Sequence, residues 1–220
     1  MKRKNTRTAR TEPWHPYAWQ AQSLLLAYPD EQFEKRLALA GRVAATLPEP
    51  VARPLLRFTT HAGQTTTSDL ATAYVATFDH RKRCCPYLTY YAHGDTRKRG
   101  IALLRLKQTY AAGGWRLGDD ELPDHLAVVL EFAATDPPIG HRLLTEHRAG
   151  LELLRLALND DNSPWAHVLD SVSATLPALA GDEHGAVLRL AAEGPPEEEV
   201  GLDPYTSPVF LPDPVVGGPR

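Results

Sequence analysis

Cysteine is nearly absent from this sequence: two in 220 residues, and they are neighbours, Cys84 and Cys85. A secreted domain stapled by disulfides shows spaced, even-numbered cysteines, so a reducing compartment is the simplest assumption. No apolar run approaches the ~18 residues that span a bilayer. The cluster Leu24-Leu25-Leu26-Ala27-Tyr28 also falls short of the ~7–15-residue core of a signal peptide. The basic start (Lys2, Arg3, Lys4, Arg7, Arg10) leads into no hydrophobic stretch and contains no twin-arginine pair. The expectation is a soluble, cytoplasmic chain with no direct membrane insertion. Net charge is only −3, which disfavours a chain built to neutralise duplex DNA. Strict apolar–polar alternation is almost missing as well, which argues against half-buried β-strands.

What is present is helical periodicity on an ordinary hydrophobic content of 43%, enough for one real core. Tyr17, Ala21, Leu24, Leu25 and Tyr28 form a stripe closed by Pro29. Phe33, Leu37, Ala40, Ala44 and Leu47 repeat it before Pro48. A shorter helix fits residues 52–61, and Ser68-Asp69 suits the start of another carrying Leu70, Tyr74 and Phe78. After an aromatic stretch at residues 87–91, a helix runs from Asp95 or Thr96 toward Gly113-Gly114. It is apolar on two sides (Leu103, Leu106, Tyr110; and Ile101, Leu104), which reads as a central, sandwiched helix. Leu126, Val129, Leu130 and Ala133 mark the next, ending before Pro137-Pro138. Leu143, His147, Leu151, Leu154 and Leu158 form one long stripe. Ser163-Pro164 opens a helix with Trp165, Val168, Leu169 and Val172, and a weak last helix fits residues 185–192. Seven of 19 prolines follow residue 194, with Glu197-Glu198-Glu199 and no periodicity. The expected organisation is therefore a disordered basic start (1–12), one all-α domain of about eight or nine helices (13–193) and a disordered or draped Pro-rich tail (194–220).

No catalytic constellation emerges. Adjacent Cys84-Cys85 near His80 and His93 lack the spacing of zinc ligands. No phosphate loop, dinucleotide fingerprint or nucleophile elbow occurs. His147, inside its leucine stripe, reads more readily as a core histidine than as a ligand. Neither an enzyme nor a cofactor or metal site is expected. The cluster Arg97-Lys98-Arg99, interleaved with Tyr87, Tyr90 and Tyr91, suits single-stranded nucleic acid, a protein contact, or pairing with the acidic loop Asp119-Asp120-Glu121. Asp124-His125 stands at a helix start, where it serves as a simple cap or as a carboxylate beside a protonated histidine.

Two segments are more specific. Tyr74-Val75-Ala76-Thr77-Phe78-Asp79 followed by Cys85-Pro86-Tyr87-Leu88-Thr89-Tyr90-Tyr91-Ala92-His93-Gly94-Asp95-Thr96-Arg97-Lys98-Arg99-Gly100 resembles the assembly chaperone (delta subunit) family of respiratory nitrate reductase. So does Leu122-Pro123-Asp124-His125-Leu126-Ala127-Val128-Val129-Leu130-Glu131-Phe132. The resemblance runs through about residues 20–178, departs at Cys84-Cys85-Pro86, where a less reactive stretch is expected, and leaves out the Pro-rich tail.

The resemblance implies the all-helical fold of redox-enzyme maturation chaperones. It implies a non-enzyme that binds the N-terminal segment of the apo catalytic (alpha) subunit in the cytoplasm. That subunit stays competent for insertion of its molybdenum cofactor and iron–sulfur cluster before membrane assembly. Molybdenum cofactor biosynthesis proteins are further candidate partners, and nucleic acid is not one. A chaperone for another molybdoenzyme and a helical nucleic-acid-binding regulator are the alternatives. The expected client-binding residues are Tyr87, Leu88, Tyr91, Arg97, Asp124 and His125.

Overall fold

The computed structural model describes residues 11–118, 121–179 and 181–196. Among them it is all-α, with eleven α-helices and no strand. In order these are α1 (His15–Leu26), α2 (Phe33–Ala44), α3 (Glu49–Gly63), α4 (Thr67–Tyr74), α5 (Leu88–His93), α6 (Arg97–Ala112), α7 (Leu126–Thr135), α8 (Pro137–Glu146), α9 (Arg148–Asp160), α10 (Trp165–Ala174) and α11 (Gly181–Glu193). The expected fold class holds, with more pieces. The aromatic stretch forms α5, and the long leucine stripe is two helices hinged at His147, whose backbone (φ −98, ψ 15) departs from helical values. Asp136 caps α8 by accepting from the Ile139 amide at 3.2 Å, with proline at the first helical position. Those prolines therefore begin a helix as well as ending one. Of the ends expected to be disordered, 1–12 and 194–220, all but residues 11–12 and 194–196 lie outside the described residues.

The centre is built by α1, which packs against α2, α7 and α10, while α10 also packs against α3 and α9. Trp19 and Trp165 are fully buried. Each indole must keep a partner for its N–H: Trp19 donates to Thr175 Oγ1 at 3.0 Å and Trp165 to the Leu25 carbonyl at 3.3 Å. Gln22 donates to Ser171 Oγ, which in turn donates to the Val51 carbonyl, so α1, α10 and α3 share one buried polar chain. Ser23 donates to the Ala127 carbonyl and fixes α7 against α1.

Several expected starts shift. Thr66, not Ser68, caps α4: its hydroxyl accepts from the Asp69 amide at 3.1 Å and donates to the Asp69 carboxylate at 2.7 Å. Ser163 does not cap α10 through its side chain, because its Oγ is buried without a partner among the described residues. The larger correction concerns α6. It is peripheral, packing on α5 at one end and lowering Tyr110 onto Phe132 of α7 at the other. Only Leu106 and Tyr110 are buried, while Ile101 and Leu104 are each 56% exposed. Its second apolar side has no described neighbour to sandwich it. After Tyr74 the chain widens into a π-helical turn, Val75–Asp79, that sets Phe78 edge-on to Trp165.

Candidate functional site

The two segments singled out in the sequence meet. The Leu88 amide donates to the Asp124 carbonyl and the Leu126 amide to the Pro86 carbonyl, both at 2.9 Å. This is an isolated antiparallel bridge between Tyr87 and His125. It launches α5 and α7 from one point. Tyr110 reinforces it by donating its hydroxyl to the Pro123 carbonyl at 2.6 Å.

Around the bridge the six expected residues divide by burial. Leu88, Tyr91 and Asp124 are buried, Tyr87 and His125 are partly buried, and Arg97 is exposed. Tyr91 lies under the surface, its hydroxyl donating to the Cys85 carbonyl at 2.9 Å, and its ring sits against Gly150 of α9. Burial pushes the Tyr91 and Tyr110 phenols up, so both remain neutral donors. The Tyr87 ring meets His125 edge-on at 5.4 Å between centroids, and the Arg99 guanidinium sits 5.4 Å from its centre. Leu88, Tyr91 and Asp124 thus lie beneath the surface at the bridge, Tyr87 reaches it, and Arg97 is exposed in the first turn of α6.

Asp124 is the electrostatic centre. Thr89 donates its hydroxyl to one carboxylate oxygen, and Arg99 approaches the same oxygen at 3.4 Å. Arg99 also holds Asp95 at 3.0 Å, so one guanidinium ties α6, the α5–α6 turn and the α7 entry together. The other Asp124 oxygen is buried with no hydrogen-bond partner among the described residues. His125 is not the protonated neighbour of Asp124 that the sequence allowed. Burial lowers its pKa to about 4, against the opposing pull of Asp124 and Asp79. Its Nδ1 accepts from the Ala127 amide at 3.2 Å, capping α7, which places the ring proton on Nε2. That nitrogen lies 3.5 Å from the Tyr74 hydroxyl, which donates to the Leu26 carbonyl. Asp119 and Asp120, the expected partners of the basic cluster, lie outside the described residues.

The departure at Cys84-Cys85 is chemically quiet. Burial raises both thiols to about 11. Cys84 donates to Asp161 at 3.6 Å, and the same carboxylate holds Arg81 at 2.5 Å and Arg83. Among the described residues no group of three or more His, Cys, Asp or Glu could hold a metal ion, and no helix is long and apolar enough to cross a membrane. Sequence reasoning missed Gly150, Thr89 and Asp161 as builders of this region. Thr89 lay within the quoted motif, but Gly150 is 59 residues from the Tyr91 it touches and Asp161 is 77 from Cys84, and neither carries a local signal.

The chain is similar to several known proteins. A family model described as nitrate reductase delta subunit matches residues 44–170. The nitrate reductase-like protein NarX of Mycobacterium tuberculosis is 40% identical over 163 residues, 74% of this chain, which spans only 24% of that relative's length. A Bacillus subtilis protein, named a probable nitrate reductase molybdenum cofactor assembly chaperone, NarJ, is 33% identical over 71% of this chain and 86% of its own. An Archaeoglobus fulgidus protein assigned to redox enzyme maturation has a solved structure similar at a TM-score of 0.55 and 25% identity, covering 72% of this chain and 91% of that one. With a family model across more than half its length, and both signature segments inside the match, this chain belongs to the nitrate reductase delta subunit family.

Proposed function

We propose that this protein is a dedicated assembly chaperone, not an enzyme, for a respiratory nitrate reductase. It binds the N-terminal segment of the apo catalytic subunit in the cytoplasm and keeps it competent for insertion of molybdenum cofactor and iron–sulfur cluster, both cargo of the client. Molybdenum cofactor biosynthesis proteins are the partners expected at the loading step. The observation that carries this reading is the Tyr87–His125 bridge. It gathers both signature segments into one rim where an aromatic edge (Tyr87) is accessible over a buried floor, with an exposed cation (Arg97) at the start of α6. An amphipathic client helix would lay its apolar face on Tyr87 and set its register against Arg97. Leu88, Tyr91, Asp124 and His125 act as positioning residues beneath it.

Tagged protein drawn from nitrate-respiring cells should recover the catalytic subunit. Recovery of a different molybdoenzyme, or of RNA alone, would overturn the client assignment. Calorimetric titration with the client N-terminal peptide then tests the rim. Tyr87→Ala should weaken binding by about tenfold or more, as loss of an anchor does, and Arg97→Gln by a smaller factor that shrinks with salt. If the peptide binds the parent protein and neither variant shifts its affinity, the client site lies elsewhere.

A further inference from the structure

The outer side of α6 is apolar and unoccupied by any described element. Ile101 and Leu104, one turn apart, are each 56% exposed, and the helix packs mainly on α5. Its first turn is basic (Arg97, Lys98, Arg99) and holds no acidic residue, and the Thr96 hydroxyl does not cap it. Cations there oppose the helix dipole, so an acidic segment brought alongside is favoured by both terms.

The chain itself leads such a segment to this place. Helix α11 packs along α9, and Pro196, three residues beyond its end, lies at the α5–α6 junction. There Gly94 holds φ +58, and a Cβ on it would overlap the Pro196 carbonyl. The next three residues in sequence are Glu197-Glu198-Glu199. Three extended residues reach about 10 Å, enough to pass from Gly94 to the first turn of α6. Residues 197–220 carry five acidic side chains against a single arginine, together with Val200, Leu202, Tyr205, Val209, Phe210 and Leu211. The 16-residue α6 is about 24 Å long, well within reach of that segment.

We propose that residues 197–220 of the same chain cover the outer side of α6: Glu197–Glu199 lie against Arg97 and Lys98, and the apolar residues that follow lie over Ile101 and Leu104. The surface is a docking site for the protein's own acidic, proline-rich segment. This inference shares Arg97 with the rim proposed for the client, so the segment and a client compete for that cation, but it does not depend on the client's identity.

The test uses the full chain without client. Zero-length carbodiimide coupling should join Glu197, Glu198 or Glu199 to Lys98 within a single molecule, mapped by mass spectrometry in the monomer fraction. Lys98→Arg should remove that link without altering amide protection of α6. Reversing the triplet (E197K/E198K/E199K) should speed hydrogen exchange over residues 97–108 by about tenfold, and adding R97E/K98E should restore the protection. Ile101→Ser/Leu104→Ser, at exposed positions the fold tolerates, should reduce the coupling yield severalfold. No intramolecular link together with unchanged exchange in the reversed variant overturns the proposal. Coupling confined to the dimer fraction also overturns it and assigns the face to a second copy.

Discussion

Alanine for glycine inside a helix ordinarily stabilises by about 1 kcal/mol, and two glycines here should answer that rule with opposite signs. Gly100 lies in α6 with nothing within 4 Å of an added Cβ, so Gly100→Ala should raise stability by up to about 1 kcal/mol. Gly150 lies in α9, where an added Cβ would stand 2.8 Å from Tyr91 Cβ and 2.9 Å from Cγ and Cδ2. Those atoms are the root of the side chain, fixed to the α5 backbone, so no rotamer change relieves the contact. The gap must open from 2.8 Å to at least the 3.4 Å of ordinary contact, which separates α5 from α9 beneath the candidate site. Overpacking of this kind costs about 1–3 kcal/mol, which cancels or exceeds the propensity gain. Gly150→Ala should therefore fall below Gly100→Ala by about 1–3 kcal/mol. Urea unfolding followed by tryptophan fluorescence and circular dichroism gives the difference from the two midpoints at equal slope. Equal stabilisation by both variants would refute the close seating of Tyr91 on α9, and with it the reading of Tyr91 as a buried positioning residue.

Two further expectations follow from the titratable groups. The fold keeps His125 neutral down to about pH 4, so the unfolded chain is first to take up that proton as pH falls below 6.5. Its contribution to stability is whole above pH 6.5 and is lost progressively toward pH 4. His125→Asn retains a capping side chain and should reduce the proton uptake on unfolding by about one across that window. A slope remains from His15, His141 and His147, which burial also holds low. The thiols, both raised to about 11, should resist iodoacetamide at pH 8 in the native protein and react at ordinary rates in denaturant. Rapid native labelling of either cysteine would contradict the burial described for Cys84 and Cys85.

Most of the fold was legible because its signals are local. Stripes at helical spacing placed α1, α2, α7 and α10, and Pro29, Pro48 and Gly113 stand just beyond the helices they close. The hinge at His147 was not legible, because the apolar spacing runs through it unbroken while the backbone bends. The Leu151 amide still donates to the His147 carbonyl at 3.1 Å, so the hydrogen-bond ladder itself hardly registers the break. The caps were placed by residue type, and type alone does not distinguish Thr66 from Ser68 when both precede the same acidic residue. At the candidate site the motif residues themselves were readable, but their depth was not. Whether Tyr91 faces a client or α9 depends on Gly150, and whether His125 is charged depends on burial by elements distant in sequence.

The misreading of α6 has a physical cause that bears on function. Apolar residues on two sides of a helix require two partners, and sequence periodicity does not say whether the second belongs to the folded core. Leu106 and Tyr110 find theirs inside, while Ile101 and Leu104 remain open to solvent. Exposed apolar residues scattered singly are ordinary, but a pair one turn apart beside a basic first turn is a surface with both an adhesive part and a register-setting part. The same helix bears Arg97 on the rim proposed for the client and runs away from the bridge that positions Tyr87. The feature that made α6 look central in the sequence therefore belongs to its surface, where the second apolar side is left open by every described element of the core.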